Sequence, residues 1–324
     1  MEASAGAARR PGEPQGLRQG PPGPHHESLP GLTRLSHLRA HGAVLLAGAL
    51  FGSTFVVMKN AVADVEPIPF IAVRFLIGAL ALAPLALRAG RPRGMVRSGV
   101  ACGAALLVGY VFQTVGLQYT TSSVSAFVTY LLVVLVPVIA AVTVRRVPTR
   151  PTLAGVALAT AGLFLLTGRG AGIGKGEVLT LGCAVAFAVH IVLLSELSGR
   201  FPTVAFTAVQ LSFVGGIALV VGTFTGGYRF PASAWVAALY TGVVVSAVAF
   251  SLQVWGQRVI GPTRTSLLLM VEPVAAAFFG YAAGDRLGPL GVIGAAVILA
   301  GIAVAEIPAL KIDRSAPAPP PASL

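Results

Sequence analysis

Glu272 is the residue of this sequence best placed to do chemistry. It is the eighth residue of the apolar run 265–283 and directly precedes Pro273. A carboxyl group there could take up and release a proton, pair with a mobile cation, or be locked to a fixed partner. The proline removes a backbone donor and leaves a carbonyl unpaired nearby, which a polar cavity can satisfy. Arg74, early in the run 67–87, could clamp a carboxylate or phosphate, anchor a loop at the interface, or pair with Glu272. Lys59 closes the first run and either faces a pathway or snorkels to headgroups. His190, midway along another run, could relay protons near neutral pH or sit as a satisfied neutral histidine. Tyr110, Gln113 and Gln253 could line a polar cavity, or serve as hydrogen-bonding glue between helices.

Several chemistries lack their signatures. There is no G-x-x-x-x-G-K-[ST] loop, no H-E-x-x-H and no G-x-S-x-G, so neither a self-sufficient ATP-driven pump nor a familiar hydrolase is expected. Gly284-Asp285 and Gly52-Ser53 each lack the further glycines of intramembrane protease sites, and no acidic ring or carbonyl filter suggests a channel. The two cysteines, Cys102 and Cys183, stand inside apolar runs with no metal-ligand spacing. No catalytic residue, metal or cofactor is expected.

These polar outliers are conspicuous because their surroundings are so apolar. Of 324 residues, 55% are hydrophobic and 10% charged, against about 25% charged in a soluble domain. Mean hydropathy is +0.83. Such a chain cannot cover a water-facing exterior, so an integral membrane protein with lipid as its surroundings is expected. The net charge of +12 comes from basic residues scattered between apolar runs, which points to topology and not to a nucleic-acid surface.

Ten apolar runs follow one another at 43–58, 67–87, 99–117, 121–144, 152–167, 178–195, 203–223, 233–254, 265–283 and 288–307. Most have the 17–25 residues that a spanning helix needs, and the first and fifth are the shortest. Gly48/Gly52 and Gly99/Gly103 are four apart, as in close helix packing. Residues 1–38 lack apolar periodicity and read as a disordered cytoplasmic tail, and Pro/Ala-rich 315–324 reads as an extended cytoplasmic tail. Ala61-Val62-Ala63 follows the first run, but the long lead before it and Lys59 are unlike a cleaved signal.

Basic residues set the expected orientation. Arg34, Arg39, Arg88, Arg91, Arg93, Arg97, Arg145, Arg146, Arg150, Arg200, Arg258, Arg264, Lys311 and Arg314 flank the runs on one side. Lys59, Arg169, Lys175, Arg229 and Arg286 flank them on the other. Fourteen against five places both termini in the cytoplasm.

The runs also repeat. Val73-Arg74-Phe75 aligns with Val209-Gln210-Leu211, and Thr54 with His190, at an offset of 136. Gln113 aligns with Gln253 at 140, Val136-Pro137 with Glu272-Pro273 at 136, and Gly155…Gly162 with Gly294…Gly301 at 139. Five runs per copy is an odd number, so the second copy, 178–307, must be inverted relative to the first, 43–167. Inverted five-helix repeats are a transporter plan, with the site between the halves. The repeat makes Thr54 and Gln210 further candidates for a pathway, and it leaves Glu272 with only Val136 as partner.

Phe51-Gly52-Ser53-Thr54-Phe55…Lys59, Arg74-Phe75, Gly116-Leu117-Gln118-Tyr119-Thr120, Glu272-Pro273-Val274 and Gly294…Leu299-Ala300-Gly301 together resemble the EamA family of the drug/metabolite transporter superfamily. The likeness covers nearly all of 43–307; Phe51 stands where that family often has tryptophan. It implies an all-α membrane protein of ten transmembrane helices in two inverted five-helix repeats. It further implies a central cavity and export or exchange of small metabolites, amino-acid-like or drug-like. The expected setting is the plasma membrane, and the expected partners are a small-molecule substrate and the bilayer. The oligomeric state is left open, a homodimer included, and so is a non-transporting sensor or lipid-handling subunit.

Overall fold

In hydrocarbon each segment must satisfy its own backbone, which leaves helices as the open solution. The computed structural model describes residues 30–61, 65–120, 122–143, 145, 147–167, 174–282 and 288–312, and these are helices joined by short turns. In the first half they are α1 (Pro30–Ala61), α2 (Pro67–Arg88), α3 (Met95–Leu117), α4 (Ser122–Tyr130), α5 (Leu132–Thr143) and α6 (Arg150–Thr167). The second half contains α7 (Lys175–Leu197), α8 (Thr203–Thr225), α9 (Ala232–Tyr240), a π-helical segment (Thr241–Ala249), α10 (Phe250–Ile260), α11 (Pro262–Leu268), α12 (Val271–Ala282) and α13 (Pro289–Ile312).

Among the described residues, six stretches are long and apolar enough to cross a membrane: Pro67–Arg88, Met95–Gly116, Lys175–Leu197, Thr203–Thr225, Ala232–Ile260 and Pro262–Ala282. Val128–Thr143, Arg150–Leu166 and Pro289–Ala305 are shorter apolar helices. The run 43–58 lies within the 32-residue α1, which at 1.5 Å per residue is about 48 Å long and outreaches a ~30 Å hydrocarbon core. It begins at Pro30, so residues 30–38, expected as part of an irregular tail, are helical. Residues 1–29 and 315–324 lie outside the described residues. Leu80, Phe224, Val236 and Phe278 are exposed on the bundle exterior, where lipid tails would cover them.

The order of contacts along each helix pair gives its direction. A Cβ placed on Gly155 would stand 2.5 Å from the Gly301 carbonyl oxygen, and one on Gly162 would stand 2.7 Å from that of Gly294. Contacts that advance along α6 while retreating along α13 make the two antiparallel. The four glycines remove the side chains that would otherwise hold these backbones apart. In the same way Gly222 meets Pro69, Gly215 meets Leu76 and Gly78 meets Leu211, so α2 and α8 are antiparallel too. Each of these pairs consists of two repeat partners. A leucine at Gly162 would meet backbone that cannot yield, so Gly162→Leu is expected to cost the upper part of the ~1–3 kcal/mol usual for overpacking. Thermal unfolding in detergent measures this, and an unchanged Tm would contradict the seam.

The other contacts cross between halves in matched pairs. As α1 packs on α10 and the π segment, α7 packs on α3. As α1 packs on α12, α7 packs on α4 and α5, and α2 on the π segment matches α8 on α3. A core of Phe75, Leu211, Val214, Val245 and Phe250 runs through these crossings. Below, the near face is the one on which α1 begins, and α7 and α10 both end there.

Candidate functional site

Arg74 sits at the middle of the crossings and is 6% exposed. Its Nε donates to Ser246 Oγ at 3.3 Å and its Nη2 to the Tyr110 hydroxyl at 3.4 Å. The guanidinium lies 5.2 Å from the Phe75 ring centre and 5.3 Å from that of Tyr110, so π faces stabilise a cation far from water. Ser246 belongs to the π-helical segment. The wider turn shifts which residues face α2, a feature that often accompanies functional sites. Gly242 in the same segment lets α2 approach, because a Cβ there would stand 2.9 Å from the Arg74 carbonyl oxygen.

Glu272 reaches this centre from the opposite side. The span Pro262–Ala282 breaks at Leu269–Met270, and Glu272 lies in the first turn of α12. A helix start inside the bundle presents free N–H groups and the positive end of the dipole, which favour a carboxylate. Pro273 is tolerated in that first turn because its missing donor would have no intrahelical partner there. The Tyr130 side chain and the Arg74 charge are both close enough to act on the Glu272 carboxyl. Gly52 lets α1 pass directly over this turn: a Cβ on it would stand 2.5 Å from the Glu272 carbonyl oxygen.

An aromatic wall surrounds the charges. Ring centres are 5.0 Å apart for Phe51–Phe250, 5.0 Å for Phe75–Tyr110 and 5.3 Å for Tyr110–Phe187, all edge-to-face. Phe51, the departure from tryptophan, is one of these rings.

The other sequence candidates fall elsewhere. Buried His190 shares a 3.0 Å hydrogen bond with Gln210, whose amide also donates to the Phe206 carbonyl. These two satisfy one another between α7 and α8. Gln253 donates to Gln257 at 3.4 Å, Thr54 to its own helix at Phe51, and Gln113 is partly buried on α3. The Lys59 side chain lies outside the described residues. Thus Arg74, Tyr110 and Glu272 come together, while His190, Gln210, Gln253 and Thr54 bond in other places.

Ser246, Tyr130 and Gln257 were not anticipated. Gln257 could have been, since it stands four residues after Gln253 and so shares its helix face. Nothing in the apolar runs around Ser246 and Tyr130 marks where they would point.

A bundle of apolar helices crossed between two halves, with a buried arginine and a partly buried glutamate at the crossing, is the architecture of a polytopic membrane protein with a polar centre. The sequence model of the EamA-like transporter family matches residues 38–168 and again 174–306. This chain belongs to the EamA-like transporter family, within the drug/metabolite transporter superfamily. It is 31% identical over 281 residues to an uncharacterized transporter of Archaeoglobus fulgidus, covering 86% of this chain and 89% of the relative. A second uncharacterized transporter of that archaeon is 27% identical over 265 residues, covering 81% and 94%. The uncharacterized transporter YoaV of Bacillus subtilis is 23% identical over 254 residues, covering 72% and 84%. One solved crystal structure superposes with a TM-score of 0.72 at 21% identity, covering 83% of this chain and 97% of the other, which shows the fold.

Proposed function

We propose that this transporter is a secondary carrier that exports or exchanges small amino-acid-like or drug-like metabolites by alternating access. Its ten spans form two inverted five-helix repeats, 43–167 and 178–307, in the plasma membrane, with both termini cytoplasmic. The observation that carries this reading is that Arg74 from one half and Glu272 from the other lie within the bundle close enough for their charges to interact. Rocking of one half against the other would change the distance between two such groups, and a substrate bearing complementary charges could bridge them. Glu272 is the proton-coupling residue in this reading. The antiparallel pairing of α2 with α8 and of α6 with α13 supports the inversion.

Flux in proteoliposomes against an amino-acid and drug panel, with and without an imposed pH gradient, tests the mechanism. Gradient-driven flux is the expected result; flux indifferent to the gradient would mean a facilitator and remove the coupling role from Glu272. Topology is tested separately by labelling single cysteines with a membrane-impermeant reagent in intact cells. Position 93 should be protected and position 229 labelled; the reverse pattern would invert the orientation.

A further inference from the structure

Two helices adjacent in sequence part company at the near face. Ser125 on α4 lies against Thr180 and Thr129 against Cys183, contacts that advance along α4 and α7 together. The apolar stretch that continues from α4 through α5 therefore runs parallel to α7. Like α7 it ends at the near face, where the turn to α6 lies. Helices joined by so short a turn commonly pack on one another. Here α5 packs on α7 and α11 while α6 lies along α13, and a groove of about 240 Å³ opens between them. Its walls include Val134, Val138 and Ala141 of α5, Pro148 of the turn, and Leu153 and Val156 of α6. Val138 is 56% and Leu153 50% exposed, so the groove opens to the exterior of the bundle.

The groove has the depth of one leaflet. Val134 stands nine residues before the end of α5 at Thr143, about 14 Å of helix and close to half of a ~30 Å hydrocarbon core. All these wall side chains are hydrocarbon, which an acyl chain covers and water does not. A transmembrane helix, about 10–12 Å across with its side chains, is too wide for it. The turn at its mouth carries charge of one sign. Arg145 and Arg150 are both exposed there, and no Asp or Glu occurs between 122 and 167 to answer them. Arg145 holds φ at +53°, a conformation that glycine adopts more readily, yet a basic side chain stands there. The repeat-related turn carries Asp285 beside Arg286, whose charges cancel.

We propose that this groove binds an anionic phospholipid, with one acyl chain between α5 and α6 and the headgroup phosphate on Arg145 and Arg150. Basic pockets between membrane helices hold such headgroups, and arginine suits a phosphate through paired N–H donors. The chain bridges α5, which packs on α7 and α11, to α6, which packs on α13. A ligand that binds only the folded bundle stabilises it against heat.

Native mass spectrometry of the full chain in detergent, with equal phosphatidylglycerol and phosphatidylcholine added, tests the site. Each arginine near an anionic headgroup contributes roughly fivefold, so the first lipid on wild type should be phosphatidylglycerol by about 30-fold. Arg145→Gln/Arg150→Gln should bring that preference close to unity and abolish the rise in Tm that phosphatidylglycerol gives. Val138→Trp, which fills the groove from its exposed side, should lose the first lipid of either class. Arg91→Gln/Arg93→Gln removes as much charge from another exposed turn of the same face and should leave the preference intact. An equal fall in this control would mean a general basic surface and overturn the site. So would a wild type without preference, or a Val138→Trp protein that keeps its lipid. Displacement of phosphatidylglycerol by inorganic phosphate would make the arginines a free-anion site, and a dimer that excludes lipid would seat a second copy in the groove; either overturns the proposal.

Discussion

Glu272→Gln is expected to abolish the response of transport to an imposed pH gradient while leaving the thermal unfolding of the purified protein close to that of wild type. Glutamine keeps the size of the side chain and its carbonyl oxygen can still accept a hydrogen bond from the nearby Tyr130. What it loses is the ability to exchange a proton and to carry a charge that answers Arg74. A residue acting as the sole coupling group should account for nearly all gradient-driven flux, a loss of about tenfold or more. Downhill exchange of substrate without a proton gradient should persist. If the mutant folds and its pH dependence is unchanged, coupling resides elsewhere, and Glu272 is the fixed partner of Tyr130 and Arg74.

Arg74→Ala should reduce transport of carboxylate-bearing substrates far more than that of purely cationic ones. Truncating one partner of a desolvated charge pair costs about 2–5 kcal/mol, roughly a 30- to several-thousand-fold fall in kcat/KM at 1.4 kcal/mol per tenfold. Arg74→Lys separates charge from shape. A lysine keeps the positive charge but loses the planar fork that lies against Phe75 and Tyr110 while reaching Ser246. Partial recovery for anionic substrates would assign the larger share of the effect to charge. Equal loss for substrates of every charge, with a lowered Tm, would mean that Arg74 serves to fasten α2 to the π segment and α3.

A charged side chain in an apolar run is costly wherever it points, so Arg74 and Glu272 stood out before any fold was known. Their surroundings did not. Tyr130 aligns only with Ser266 at the offset of 136 and so with no ionisable partner, and Ser246 is a small hydroxyl in a valine-rich run, where serine commonly bonds back to its own helix. The π turn that delivers Ser246 to Arg74 leaves no mark in hydropathy, because its residues are as apolar as those of an α-helix. His190 illustrates the converse. Its type suggested proton relay, but the neighbouring helix supplies Gln210, and the two side chains satisfy one another.

Helix starts and ends were equally uneven. The glycines spaced along α6 and α13 were visible as a repeated pattern, and their facing one another explains the spacing. The extension of α1 back to Pro30 was hidden by the Gly, Pro and Arg content of the segment before it. The break at Leu269–Met270 was signalled only by Pro273, which lies in the new helix and not at the break itself.

The sequence alone determined that this is a membrane protein of related halves with polar groups at chosen depths, because hydropathy and charge are properties of residue types and survive without a fold. Tertiary structure decided which of those groups meet. Burial and hydrogen-bond partnership depend on how helices from different halves cross. Repeat partners alike in sequence, such as Gln113 and Gln253, therefore end in different surroundings, one partly exposed and the other sealed beneath Gln257.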